Sequence, residues 1–276
     1  MSKIVKNLQS TNHIMVMEPG LFHANPQTMS TNSYQHEDEG DLGSIHDKAV
    51  SEFRAFRDML AEKGVVVTTT KGVPESPDDI FCNNWVSTHQ NPDGKSRMVL
   101  YPMLAENRQI ERRSDLIQFL KRTYKDVQDF SLHEQNGKFL ESTGALCLDR
   151  VNRVAYHARS DRSHDELAAL WCRMNDFTHA SFNTSHRGKP VYHTDVVMWI
   201  GTKIAGICSE CLENRGVVDM LNQTHDVIEF TNEQMEKFCG NALQVIGYPD
   251  GKTAEEMLVM SASGYGVLTD EQKAKI

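Results

Sequence analysis

Long apolar runs are missing from this 276-residue chain. None approaches the roughly 20 residues that a membrane-spanning helix needs, so no membrane partner is expected. The opening stretch MSKIVKNLQSTNH lacks the apolar centre of a secretory leader. Basic blocks are missing too, and the formal net charge is −9. That argues against nucleic acid or an anionic membrane as partner, while leaving room for an anionic small molecule held by a local arginine cluster. Cys82, Cys147, Cys172, Cys208, Cys211 and Cys239 lack an export context, so they are expected to be free thiols in a reducing cytoplasm. The mean hydropathy of −0.49 fits a globular chain. Homo-oligomerisation stays open.

What is present is a recurring unit. FCNNWVSTHQNPDGKSRMVLYP (81–102) reads as strand, turn at Asn91-Pro92-Asp93-Gly94, strand. A helical pattern runs from about Glu106 to Lys125, then a strand lies near Phe130-Ser131-Leu132. The order starts again with KFLESTGALCLDRVNRVAYHA, two strands around Asp149–Asn152. Ser163 and Glu166 predict a capped helix, and HASFNTSH closes the unit as a strand. A third round starts at Tyr192, with a helix near Glu210–Leu221 and a strand at Asp226–Phe230. Thr231 and Gln234 predict another capping box, for a helix to about Ile246, and MLVMSASGYGVL reads as a last hairpin. At the front, HIMVMEPG is a strand, Ala49 to Lys63 an amphipathic helix stopped by Gly64, and VVVTTT a strand. Strand-strand-helix-strand is thus present three times cleanly and twice in part. One recurring unit points to a single α/β domain over residues 1–276, built as a closed or stacked array.

Where each hairpin enters, an unusual polar residue stands: Asn83-Asn84, then Glu141, then His193. Units arranged around an axis would gather these in one pocket. The stretch YHTDVVMWIGTKIAGICSE (192–210) reads as strand, turn at Gly201-Thr202-Lys203, strand. That ribbon would bring His193 and Cys208 to its open end, with a one-residue change of register enough to turn Cys208 to the other face.

The segments PDDIFCNNWVSTH, LYPMLAENRQIERR, FLESTGALCLDRVNRVAYHARS and VYHTDVVMWIG resemble the amidinotransferase-like citrulline hydrolases. These belong to the guanidino-group-modifying superfamily, with arginine deiminase and dimethylarginine dimethylaminohydrolase. MVMEPGLFHANPQTMSTNSYQ is similar to that family's N-terminal signature, so the resemblance covers nearly the whole chain. It implies a five-bladed, pseudo-symmetric α/β propeller, the pentein fold. It also implies covalent chemistry without a cofactor: a thiolate attacks the guanidinium or ureido carbon, and a histidine protonates the leaving nitrogen, then activates water.

Carried onto this sequence, the resemblance makes His193 the acid/base, and Glu141 and Asp78 the site carboxylates, with Asp79 a weaker competitor. Related guanidine enzymes have carboxylates where Asn83 and Asn84 stand. A carboxylate suits a cationic guanidinium, whereas an amide N–H can donate to a neutral ureido carbonyl. The exchange favours citrulline over arginine. The relatives' C-terminal cysteine has no counterpart in LVMSASGYG, where Val259 or Met260 stands. Cys208 is the first choice of nucleophile, Ser261 a substitute, and loss of the chemistry the third option. Arg108 and Arg159 are candidates for the substrate carboxylate. Phe22, Asn25 and Gln35 would form a lid or pocket wall. The bland alternatives are a structural imidazole for His193, a surface carboxylate for Glu141, turn formers for Asn83-Asn84 and solvated charges for the arginines. A lone C-x-x-C (Cys208–Cys211) with scattered His13, His23, His36 and His46 does not make a metal site, and none is expected.

Overall fold

The three clean repeats appear as three separate three-stranded sheets. In the computed structural model, which describes residues 9–37, 39–90 and 95–276, the chain starts with β1 (His13–Glu18), α1 (Leu42–Glu62) and β2 (Val66–Lys71). Next come β3 (Val86–Gln90), β4 (Ser96–Leu100), α2 (Glu106–Gln109), α3 (Ser114–Leu120) and β5 (Asp126–Asp129). The following group is α4 (Ser142–Ala145), β6 (Cys147–Asp149), β7 (Val154–Ala158), α5 (Asp165–Asn175) and β8 (Thr178–Phe182). Then follow α6 (Thr194–Val197), β9 (Met198–Ile200), β10 (Ile204–Cys208), α7 (Gly216–Leu221) and β11 (Asp226–Phe230). The chain closes with α8 (Asn232–Met235), β12 (Ala242–Gly247), β13 (Glu255–Met260), α9 (Ala262–Gly266) and α10 (Asp270–Lys275).

In each three-stranded sheet the first two strands pair antiparallel and the third joins the second in parallel. A hairpin suffices for the first pairing, but the parallel return needs a crossover. The segments holding α2 and α3, α5 and α7 provide it. The two partial repeats are the parallel pair β1-β2 and the antiparallel pair β12-β13. The result is a mixed α/β fold of small sheets, none of which closes on itself among the described residues. Each three-stranded sheet carries one buried tryptophan in its core: Trp85, Trp171 and Trp199. No described helix is long and apolar enough to cross a membrane.

Several elements differ from expectation, each for a local reason. The long helix over 106–125 is two short ones, because Arg108 and Glu111 turn inward and break the exposed face between them. The strand expected at 130–132 lies earlier, at β5, and Ser131–Asn136 is a 3-10 turn. Ser163 does not cap α5: its hydroxyl donates to Ala158 O, and His164 takes the cap position. The helix expected over 210–221 begins only at Gly216. The Thr231–Gln234 capping box forms, yet its helix ends at Met235 and the chain returns as β12. The last hairpin is β12-β13, and residues 262–266 are helical. The turn expected at 91–94 lies outside the described residues.

Three short turns sit just before the first strand of the three full sheets: the 3-10 turn Cys82–Asn84, α4 and α6. They pack on one another. Thr194 ties two of them to β7, since its hydroxyl donates to Ala145 O at 2.5 Å and accepts from Ala158 N at 2.8 Å. Gly240 makes room for α6 because a Cβ there would run into the Val196 carbonyl. Gly240→Ala should therefore displace α6 and cost about 1–3 kcal/mol, as overpacking does. Urea denaturation reads this directly, and an unchanged midpoint would show that α6 is not held this way.

Candidate active site

The inter-turn packing brings Asn84, Glu141 and His193 together. Glu141 is fully buried, and its Oε1 accepts from Leu104 N at 3.1 Å. Its Oε2 lies 2.7 Å from His193 Nε2, 3.6 Å from Arg162 Nη1 and 3.8 Å from Arg108 Nη1. A carboxylate can only accept, so the His193 Nε2–H donates and Nδ1 is left with its lone pair. Burial works to raise the Glu141 carboxyl, but the His193 hydrogen bond and the nearby Arg162 and Arg108 outweigh it and hold the pKa down at about 2. Burial pushes His193 down to about 4 against the pull of Glu141. At neutral pH the pair is a carboxylate facing a neutral imidazole.

The Nδ1 edge of His193 faces Gly144 and Asp195. Gly144 allows this close packing: a Cβ there would come within 3.0 Å of His193 Nδ1 and would collide with Asn84 Nδ2. Asn84 Oδ1 accepts from Arg108 Nη2 at 3.1 Å, while its buried Nδ2 has no hydrogen-bond partner. Next to Glu141, Ser142 adopts φ 39°, a left-handed backbone uncommon for a side-chain-bearing residue. Asp195, in the first turn of α6, stands 3.9 Å from His193 Nδ1. Burial pushes its carboxyl up to about 7, against a hydrogen bond from Asn83. A cavity of about 300 Å³ lies beside this group, lined among others by Thr31, Ser160, Arg162, Lys189 and Tyr192. The Tyr192 ring lies against His193, and Arg162 sits over that ring at 4.7 Å.

A sequence-family profile described as "N,N dimethylarginine dimethylhydrolase, eukaryotic" matches residues 18–276. The chain belongs to this family. Among solved structures, apo ArgZ, an arginine dihydrolase from the ornithine-ammonia cycle in cyanobacteria, aligns with a TM-score of 0.67 at 15% identity, over 84% of this chain. The chain spans 33% of that protein's length. The N-terminal domain of ArgZ, as a cysteine-to-serine variant bound to substrate, gives 0.65 at 15% identity, covering 84% of this chain and 80% of that one. Dimethylarginine dimethylaminohydrolase (DDAH) from Pseudomonas aeruginosa, a cysteine-to-serine variant complexed with citrulline, gives 0.61 at 16% identity, covering 85% and 81%. At such identities the likeness speaks to the fold. No curated protein matches the chain.

In this member of the DDAH family the expected residues divide into those at the site and those away from it. Asp78 lies at its edge, accepting from Asn25 Nδ2 at 2.8 Å and Thr28 Oγ1 at 3.1 Å, with Arg108 Nε 3.9 Å away. Asn25 is fully buried and bonds Asn107 as well, so it anchors the N-terminal segment and does not line a pocket. Gln35 joins that anchor through Thr28, and Phe22 N–H donates to His46 Nδ1. Asp79 is structural: it accepts from Val73 N at 2.6 Å.

Three expectations need correction. Cys208 is not brought to His193. The β9-β10 ladder ends at Met198 opposite Ile207, and α6 carries the chain off before His193, which therefore does not lie on the paired strand. Cys208 shares the face of Gly206, packs in the apolar cluster with Met235 and Cys239, and has Asn232 Oδ1 3.5 Å from its sulfur. A hydrogen bond from Cys211 holds its thiol below the usual value. Arg108 is not free for a substrate carboxylate, because Glu111, Asn84 and the Phe81 carbonyl occupy its guanidinium. Arg159 is exposed and engages Asp165, Ser181 and Asn183. The arginine at His193 is Arg162, three residues on in the same segment. Ser261 is the exposed cap of α9.

The His193–Glu141 pair sets a pH dependence. Both pKa values are depressed in the folded state, so the stability they contribute is present above the unfolded values and is lost as pH falls. For His193 that window runs from 6.5 down to about 4. Wild type should lose stability relative to His193→Gln across it, and the His193 ring protons should titrate in NMR with a midpoint near the lower end. A midpoint near 6.5 would contradict the burial that lowers it.

Proposed function

We propose that the chain is a hydrolase of a C–N bond in a ureido or guanidino amino acid, with citrulline the preferred substrate and ornithine, carbon dioxide and ammonia the products. Asn84 carries this reading. Its Nδ2 is a buried donor without a partner, and such a group costs about 1–3 kcal/mol until something accepts from it. A ureido oxygen brought to Asn84 Nδ2 would accept; a guanidinium has no acceptor to offer. The charges agree, since Arg108 and Arg162 already neutralise Glu141 and would repel a cation. Family membership and the fold shared with arginine- and citrulline-binding proteins support the substrate class.

His193 Nδ1 is the base, held in the right tautomer by Glu141, and with no thiol hydrogen-bonded to it among the described residues the nucleophile is water. Nδ1 takes a water proton as the oxygen bonds to the ureido carbon, while Asn84 donates to the developing oxyanion. The C–N bond breaks, and the departing nitrogen takes its proton from the Asp195 side. The carbamate left behind loses carbon dioxide. Lys189 and Arg162 flank the neighbouring cavity, which suits the amino-acid end of the substrate. In the same proposal the separate sheets are blades of a five-bladed propeller with this site at its hub, the protein is cytoplasmic, and no cofactor takes part.

A second reading, ligand capture without turnover, is favoured by one observation: an imidazole held near pKa 4 is a weak base at neutral pH. Assays of ammonia and ornithine release from citrulline and from arginine separate these. Turnover of citrulline, lowered at least about a hundredfold in His193→Gln and retained in Cys208→Ala, is the expected result. Ammonia from arginine alone would reject the substrate assignment, and citrulline binding with no product would establish the second reading. Asn84→Asp should lower citrulline kcat/KM by about tenfold or more, as loss of a buried donor does; an unchanged value would remove Asn84 from the mechanism.

A further inference from the structure

We propose that His157, His179 and Asp165 form a binding site for one divalent transition-metal ion of the zinc class. The strands β7 and β8 run in parallel with Ala155 opposite His179 and His157 opposite Ser181. Residues two apart on a strand share a face, so His157 and His179 are diagonal neighbours on one face of the sheet. The first turn of α5 lays Asp165 over them. His157 Nδ1 is 3.1 Å from His179 Nε2 and 3.7 Å from Asp165 Oδ1, and His179 Nε2 is 4.0 Å from that same oxygen. Two ligands of a tetrahedral ion, each about 2.1 Å from it, stand about 3.4 Å apart. The three observed separations bracket that edge, and within the described residues this is the group of metal-binding side chains that converges so closely.

The surroundings suit a metal. His157 is fully buried, which fixes its ring, while His179 and Asp165 are partly exposed and leave an entry path and a position for water. Arg159 Nε donates to Asp165 Oδ1 at 2.9 Å, the outer contact that commonly orients a ligating carboxylate. Two nitrogens and one carboxylate oxygen with an open position select zinc, cobalt(II) or nickel over calcium or magnesium. His157 and Ala158 point to opposite faces of β7, and Ala158 N–H bonds Thr194 beside His193. The ion would thus staple β7, β8 and α5 behind the candidate active site.

The test uses the full chain, stripped with a chelator and titrated with Co2+. Wild type should bind one equivalent, show visible ligand-field bands of a tetrahedral ion, and gain thermal stability with added metal. His179→Ala, at a partly exposed position and checked for folding by circular dichroism, should lose the bands and the Tm gain, and His157→Ala should do the same if it folds. No saturable binding by wild type, bands unchanged in His179→Ala, or a thiolate-to-cobalt charge-transfer band from Cys208 and Cys211 would each overturn the proposal.

Discussion

The site depends on one buried ion network: Glu141, ionised, between Arg108, Arg162 and the imidazole of His193. A carboxylate taken fully out of water costs several kcal/mol unless it is paired and hydrogen-bonded. Here its oxygens meet a backbone N–H, an imidazole N–H and two guanidinium groups. Remove that carboxylate and two buried arginines face a histidine with nothing to hold it. The charge network therefore sets the His193 tautomer, and the tautomer leaves the lone pair on the ring nitrogen that faces Gly144.

The fold serves the network by placing a short turn in front of each full sheet. Asn84, Glu141 and His193 come from three such turns, more than 50 residues apart along the chain. Thr194 and Gly144 lock the turns together, one by hydrogen bonds and the other by lacking a side chain. Arg108 reaches across from α2 to bond both Asn84 and Glu111. Burial pushes the Glu111 carboxyl up to about 7 against Arg108. Arg108 and Arg162 beside Glu141 fit an uncharged ureido group better than a further cation.

The recurrence of the unit, and the polar residue at the same place in each, was legible in the residues, because strand periodicity and turn dipeptides are local signals. What was not legible is mostly tertiary. Thr194-Asp195-Val196-Val197 is rich in β-branched residues and reads as strand; hydrogen bonds between Thr194 and two other segments turn it into a helix, and that single turn separates His193 from Cys208. Arg159 and Arg162 differ only in which side of the chain faces inward, and no local pattern tells them apart. Gly144 carries a signal in hindsight: a glycine just after a candidate catalytic carboxylate marks a close approach. The pair His157 and His179 needed strand register, which the sequence alone does not state.

The central claim is that a neutral ureido group sits with its oxygen on Asn84 Nδ2 and its carbon facing His193 Nδ1. A crystal structure of the His193→Gln protein soaked with citrulline tests it most directly. The ureido oxygen should lie within hydrogen-bond distance of Asn84 Nδ2 and the amino-acid end in the cavity beside Arg162 and Lys189. Citrulline bound elsewhere, or bound there with Asn84 Nδ2 still unpaired, would contradict it.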